Sequence, residues 1–302
     1  MNTHLAVFVD SGNSRVKVGW LALPDVARRP ERSSGSMQAS PPRDATRQDM
    51  SHWTSGRYAA VPIEQTAAFD KHDLAGLTAW LAALPRLATR NASGVNVAGN
   101  EQGARLSTVM GSAGFELTWH RATLNTGGLA NGYDAPEQLG ADRWAAMLGA
   151  RHHNSADAPT VVASFGTATT IDTIGPDGRF LGGLILPGPA LMRSALFDNT
   201  ADLPLADSGT VLFPTHTHAA IASGVAAAQA GAVLRQWTAA ASRFDARPVL
   251  LVAGGGWAVV ADEVVRLFDQ CVAPPTVAPQ FLPHPVLDGL AVLTQLDRSG
   301  AS

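Results

Sequence analysis

Asp10-Ser-Gly-Asn-Ser-Arg-Val-Lys17 places a carboxylate, two hydroxyls, a glycine and an ammonium group within eight residues. These are the parts of a phosphate site. Gly12 allows close backbone approach to phosphate oxygens, Ser14 offers a hydroxyl, Lys17 a point charge, and Asp10 can hold a divalent cation directly or through water. The same residues also make an ordinary surface turn. Lys17 and Lys71 are the only lysines, so a lysine inside such a cluster is conspicuous. Gly166-Thr-Ala-Thr-Thr supplies a second set of small residues and hydroxyls, and together the two sets can form a two-sided clamp on phosphate. Neither a Walker A loop nor a dinucleotide-binding G-x-G-x-x-G follows the first strand, so the cradle is of another kind. Gly254-Gly255-Gly256 either lets a base or ribose lie against bare backbone or simply ends a strand.

The elements that must carry these residues can be read from the pattern. Leu5-Ala-Val-Phe-Val runs into the first cluster and Val16-Lys-Val-Gly-Trp-Leu resumes after it, which predicts a β-hairpin with a polar, Gly-bearing turn. Residues 160–164 lead into the second cluster, followed by Ile171-Asp-Thr-Ile, a turn at Gly175-Pro-Asp-Gly and Phe180-Leu-Gly-Gly-Leu-Ile-Leu. The strand, turn, strand sequence thus occurs twice, about 155 residues apart from Gly12 to Gly166, as in a duplicated fold with two like domains facing one cleft. Between the hairpins the spacing predicts a helix over 74–84, a strand over 94–98 and a helix from Pro136 to Arg151 that bridges the halves. Later segments predict a helix over 218–237, a strand over 249–253 and a closing helix over 286–296. Alternating strands and helices give an α/β class. Residues 27–51 are rich in Arg, Pro, Ser, Asp and Gln without periodicity and read as a surface insertion.

Bulk composition excludes several functions. A net charge of −3 and a single cysteine, Cys271, argue against a nucleic-acid-coating surface, a disulfide framework and a cysteine-built zinc site. No unbroken apolar run approaches the length of a membrane span, and the expected location is the cytoplasm, without membrane or nucleic-acid partners. His152-His153 and His216-x-His218 lack the further ligands of a metal site. The scattered tryptophans read as packing rather than as base-stacking platforms.

Six motifs in order, Asp-x-Gly-Asn-Ser-x-x-Lys, Gly140-Ala-Asp-Arg, Gly-Thr-Ala-x-Thr, Gly182-Gly-x-Ile-x-Pro-Gly, Thr200-Ala-Asp-Leu-Pro and Leu287-Asp-Gly-Leu, resemble the type III pantothenate kinases. The resemblance implies an actin-like (ribonuclease H-like) duplicated two-domain fold, divided near 1–137 and 138–302, with a nucleotide cleft between the domains. It also implies transfer of phosphate from ATP to the primary hydroxyl of pantothenate, with Mg²⁺ and a monovalent cation, K⁺ or NH₄⁺, in a homodimer. Carried over by position, Asp10, Ser11, Gly12, Asn13, Ser14, Arg15, Val16 and Lys17 form the first nucleotide loop and Thr167 a contact in the second. Tyr133, Gly140, Ala141, Asp142, Arg143 and Thr200 would touch pantothenate, with Asp142 as general base. One residue departs from the family pattern: Ser164 stands where an acidic residue usually helps hold the monovalent cation, so a site there would lean on carbonyls and water. Without the resemblance, Asp142 and Arg143 read as helix-capping or surface ion-pairing residues. Two other functions remain open, a regulatory protein of the same fold (the related Bvg accessory factor group) and another actin-like sugar or acid kinase.

Overall fold

The computed structural model describes residues 3–24, 63–86, 90–154, 157–274 and 278–299. The insertion read over 27–51 lies outside the described residues. The first apolar run forms β1 (Thr3–Ser11), paired antiparallel with β2 (Arg15–Pro24), which pairs antiparallel with β3 (Gln65–Asp70). Helix α1 (Leu74–Ala82) opens on Asp73, whose carboxylate accepts the Gly76 N–H, and leads to β4 (Arg90–Asn96), parallel to β1. Helix α2 (Asn100–Ser112) and β5 (Glu116–Trp119), parallel to β4, complete a five-stranded sheet of order β3-β2-β1-β4-β5. β1 is buried on both faces, which is why its run is continuous rather than alternating. Leu5, Val7 and Val9 pack with Leu77, Leu81 and Leu106 of α1 and α2, while Ala6 and Phe8 join a second cluster behind the sheet.

A small hairpin, β6 (Asn125–Thr126) and β7 (Leu129–Ala130), precedes α3 (Ala141–His153). Here the structure corrects the sequence reading. The helix does not begin at Pro136; Pro136–Gln138 is one 3₁₀ turn, its Pro136 carbonyl held by the Asn131 amide, and Leu139 and Gly140 are extended. The α-helix starts only after this extended pair, so Asp142 lies in its first turn instead of its middle.

The second half repeats the first. β8 (Thr160–Phe165), β9 (Ala168–Ile174) and β10 (Phe180–Pro187) are successively antiparallel, then come α4 (Pro189–Asn199), α5 (Thr217–Phe244), β11 (Val249–Ala253), α6 (Trp257–Cys271) and β12 (Gln280–Phe281). The order β10-β9-β8-β11-β12, with β8, β11 and β12 parallel, matches the first sheet strand for strand. α5 is long and apolar enough, by length and composition, to cross a membrane; here Val233, Trp237 and Ala240 bury its inner face against β8, β11 and α6.

The closing helix α7 (Pro285–Ser299) crosses α3 at two glycines. A Cβ on Gly149 would overlap the Pro285 carbonyl and one on Gly289 the Ala145 carbonyl, so only glycine permits this approach. That gives the Leu287-Asp-Gly-Leu motif a packing reason. α3 and α7 also join the halves: Phe8 and Val95 of the first sheet, Trp144, Leu148, Leu287 and Leu290, and Val162 and Leu251 of the second share one core. Ser93 of β4 and Thr294 of α7 add a buried hydroxyl contact of 2.8 Å.

Candidate active site

The first cluster is the β1–β2 turn. Gly12 N–H closes it on the Arg15 carbonyl (3.0 Å), Val97 N–H binds the Ser11 carbonyl and Lys71 N–H the Ser14 carbonyl. Of the eight residues proposed for this loop, Asn13, Ser14, Arg15 and Lys17 are exposed, whereas the Ser11 and Val16 side chains face the core. These two can serve a ligand only through their backbone. Asp10, 6% exposed at the end of β1, faces Lys17 across the hairpin, Oδ2 to Nζ 3.5 Å. Burial pushes the Asp10 carboxyl up; Lys17 pulls it back and the nearby Asp142 charge pushes it further up, leaving it raised.

The second turn is shorter, only Gly166 and Thr167 standing between β8 and β9, and Gly166 N–H closes it on the Ala168 carbonyl (3.0 Å). Three glycines hold it from outside. Gly188 N–H binds the Thr167 carbonyl (2.8 Å), Gly256 N–H the Phe165 carbonyl (3.0 Å), and Gly254, at φ 92°, lies where a Cβ would strike the Phe165 backbone. Of the two readings of Gly254-Gly255-Gly256, the packing one therefore accounts for Gly254, while Gly255 faces open space. The two turns meet: Ser14 Oγ and Thr167 Oγ1 lie 2.8 Å apart.

Asp142, in the first turn of α3, is close enough for its charge to act on both Asp10 and Asp172. Its Oδ1 accepts the Arg143 N–H (2.8 Å), which fixes the carboxylate at the start of α3. Arg143 turns inward and is 5% exposed. Its Nε lies 3.2 Å from both oxygens of Asp172, Nη2 is paired with Asp172 Oδ1, and Nη1 donates to the Tyr133 hydroxyl at 2.8 Å. Burial works against the guanidinium's charge, but the Asp172 carboxylate and the Tyr133 hydroxyl outweigh it and drive the group upward. Gly183 makes room for the pair, since a Cβ there would overlap Asp172 Oδ1.

Sequence reasoning assigned Asp172 no role. Its partner is 29 residues away, across a strand and a turn, and nothing in local spacing signals the contact. Thr200 is not drawn into the cluster by its hydroxyl, which donates to the Leu196 carbonyl (2.7 Å) at the end of α4.

The family model of type III pantothenate kinase matches residues 6–239, from β1 through most of α5. The chain belongs to this family. Both turns, the Asp142–Arg143–Asp172 cluster and Thr200 fall inside the matched region of the type III pantothenate kinases. A relative from Bordetella bronchiseptica, named type III pantothenate kinase, is 47% identical over 294 residues, covering 96% of this chain and 97% of its own. One from Azoarcus sp., of the same name, is 41% identical over 245 residues, covering 81% and 87%. A Sinorhizobium meliloti protein provisionally named 2-dehydro-3-deoxygalactonokinase superposes with a TM-score of 0.52 at 12% identity, covering 97% of this chain and 99% of its own. That likeness is one of fold, and with the two matching sheets it gives the actin-like α/β architecture expected from the sequence.

Proposed function

We propose that the chain phosphorylates the primary hydroxyl of pantothenate with ATP, giving 4′-phosphopantothenate, the first step of coenzyme A biosynthesis. The observation that carries the reaction class is the meeting of the two turns at Ser14 and Thr167, with Asp10 and Lys17 paired across the first hairpin. The substrate follows from relatives named type III pantothenate kinase along nearly the whole chain.

Phosphoryl transfer asks mainly for positioning and neutralised charge. Gly12 and Gly166 spend their N–H groups inside their own turns, so the side chains offered to the ATP phosphates in this reading are those of the exposed Asn13, Ser14, Arg15, Lys17 and Thr167. Asp10, acceptor-only when ionised, suits Mg²⁺, which is held by one or two carboxylates together with substrate phosphates rather than by a protein cage. The donor set fits that pattern, Asp10 being the one carboxylate of the first turn. Bound there, Mg²⁺ would neutralise charge on the transferring phosphate. Asp142 takes the proton of the attacking hydroxyl: Oδ1 is engaged by the Arg143 amide and Oδ2 is left to act as base. Tyr133, the Asp142 carboxylate, the backbone of the Gly140-Ala141-Asp142-Arg143 turn and Thr200 are the pantothenate contacts of this reading, the Arg143 guanidinium being turned to Asp172 and Tyr133.

A monovalent cation fits less well. Ser164 offers an uncharged oxygen, and the neighbouring Phe165 and Thr167 carbonyls already accept the Gly256 and Gly188 amides. We infer weak or altered K⁺ or NH₄⁺ activation. The exposed apolar side chains Ile185, Leu191, Phe197, Leu205, Val211 and Phe213, on β10, α4 and the loop after it, suit burial against a second copy. The working arrangement is a cytoplasmic homodimer of two-domain subunits divided near residue 137. Pantothenate-dependent ADP release by purified protein tests the reaction, compared in K⁺, NH₄⁺ and Na⁺. ADP release that ignores pantothenate contradicts it.

A further inference from the structure

Asp172 is 2% exposed in the middle of β9, and everything around it serves one contact. Gly183, its register partner on β10, carries no side chain where a Cβ would overlap Asp172 Oδ1 and crowd Arg143 Nη2. A buried ion pair is a poor device for stability, because desolvating two charges consumes most of the attraction between them. The pair therefore calls for a second task, and the guanidinium shows where that task lies. Its Nε and Nη2 edge is spent on Asp172, and its Nη1 donates to the Tyr133 hydroxyl at 2.8 Å.

A tyrosine hydroxyl that accepts from a cation keeps its own proton to donate elsewhere. The ring of Tyr133 is held independently, tilted 37° against Phe180 at 5.3 Å between centroids, with its backbone N–H on Asn131 Oδ1. Only the tip remains to be set, and Arg143 sets it. Arg143 is 5% exposed and its side-chain hydrogen bonds run to Asp172 and Tyr133; of these two only Tyr133 is a proposed substrate contact, so the route from Asp172 to a ligand runs through Tyr133.

We infer that Asp172 is a positioning residue: through Arg143 it aims the Tyr133 hydroxyl as a hydrogen-bond donor to an oxygen of pantothenate beside Asp142. The inference rests on the proposed function and on Tyr133 as a substrate contact. It assigns specificity to a residue that does not itself reach the ligand.

The test is a double-mutant cycle in steady-state kinetics with wild type, Asp172→Asn, Tyr133→Phe and the double variant, varying pantothenate and ATP separately. Each single change should raise KM for pantothenate roughly three- to tenfold, the worth of one hydrogen bond. kcat and KM for ATP should stay within about twofold, because the interaction is one of binding. The double variant should be no worse than the poorer single one, since both remove the same donor. Multiplying KM effects, or a loss shared equally by kcat and both KM values, would overturn the inference and leave Asp172 a structural residue. If Asp172→Asn does not fold, Arg143→Lys replaces it. Lysine keeps the charge opposite Asp172 but cannot span both partners with a fork. Its KM shift should vanish in the Tyr133→Phe background, and a shift that persists there overturns the inference. Folded wild type that never phosphorylates pantothenate instead overturns the functional reading, and this inference with it.

Discussion

Ser14 Oγ and Thr167 Oγ1 lie 2.8 Å apart, at the tips of two turns that occupy the same place in two like sheets. The duplication extends to details. Each turn is closed by the N–H of its first glycine, and Asp10 and Ser164 stand two residues before those glycines. Across their hairpins they face Lys17 and Thr170 respectively. One half thus keeps an ion pair where the other has two hydroxyls, so the charged chemistry belongs to the first turn and the second contributes hydroxyl contacts.

Thr167→Val should therefore weaken nucleotide binding without harming the fold. Both hydroxyls are at exposed positions, so the expected stability change is within about 0.5 kcal/mol. KM for ATP should rise roughly three- to tenfold, and thermal melting alongside steady-state kinetics checks both statements.

Asp10→Asn should separate stability from activity. Asp10 has its carboxyl raised in the folded state chiefly by burial. A raised carboxyl helps the fold below its unfolded pKa of about 3.9, and that help is lost as pH rises through the folded value. At neutral pH the ionised side chain is thus a burden on stability, and the amide should melt no lower than wild type. Turnover should fall on the order of 100-fold, the scale of lost metal positioning. Denaturation at pH 7 beside Mg²⁺-dependent ADP release reads both.

His153 on α3 and Asp288 on α7 lie 2.9 Å apart, and the hydrogen bond that Asp288 accepts raises the histidine despite partial burial. A raised histidine stabilises fully below its unfolded pKa of about 6.5, and that stabilisation is lost as pH rises through the folded value. Because both groups are partly solvated, His153→Gln should cost only about 0.3–0.5 kcal/mol at pH 5.5. At pH 9 the cost should be near zero, as urea unfolding at the two pH values would reveal.

Gly289→Ala tests the crossing of α3 and α7. A Cβ at Gly289 would overlap the Ala145 carbonyl, with backbone on both sides and no flexible side chain to yield. The expected loss is roughly 1–3 kcal/mol in chemical denaturation.

The sequence made the two hairpins legible because their strands are apolar runs interrupted by short polar Gly turns. Strand 249–253 and the helices over 74–84 and 286–296 also stand where expected, with shifts of up to three residues at their ends, while the helix expected over 218–237 runs on to Phe244. Helices α2, α4 and α6 went unread: α2 carries Gly103 and Gly111 inside it, and α4 and α6 begin directly after Gly188 and Gly256. The start of α3 was misplaced because the residues from Pro136 onward are good helix formers, while the Asn131–Pro136 contact that turns them aside is tertiary. Asp10 and Lys17 could be singled out from the chemistry of a local motif, and Asp142 only through the family resemblance. Asp172 could not, and neither could the uses of Gly183, Gly254 and Gly289, which are defined by backbone or side chains that the fold brings from elsewhere in the chain.

The most direct test is mass-spectrometric detection of 4′-phosphopantothenate after purified protein is incubated with pantothenate and Mg-ATP, with Asp142→Asn alongside. We expect product from wild type and a loss of at least about 100-fold in the variant, whose amide cannot take the hydroxyl proton. Absence of product from folded wild type would contradict the assigned reaction, and undiminished product from Asp142→Asn would contradict its base.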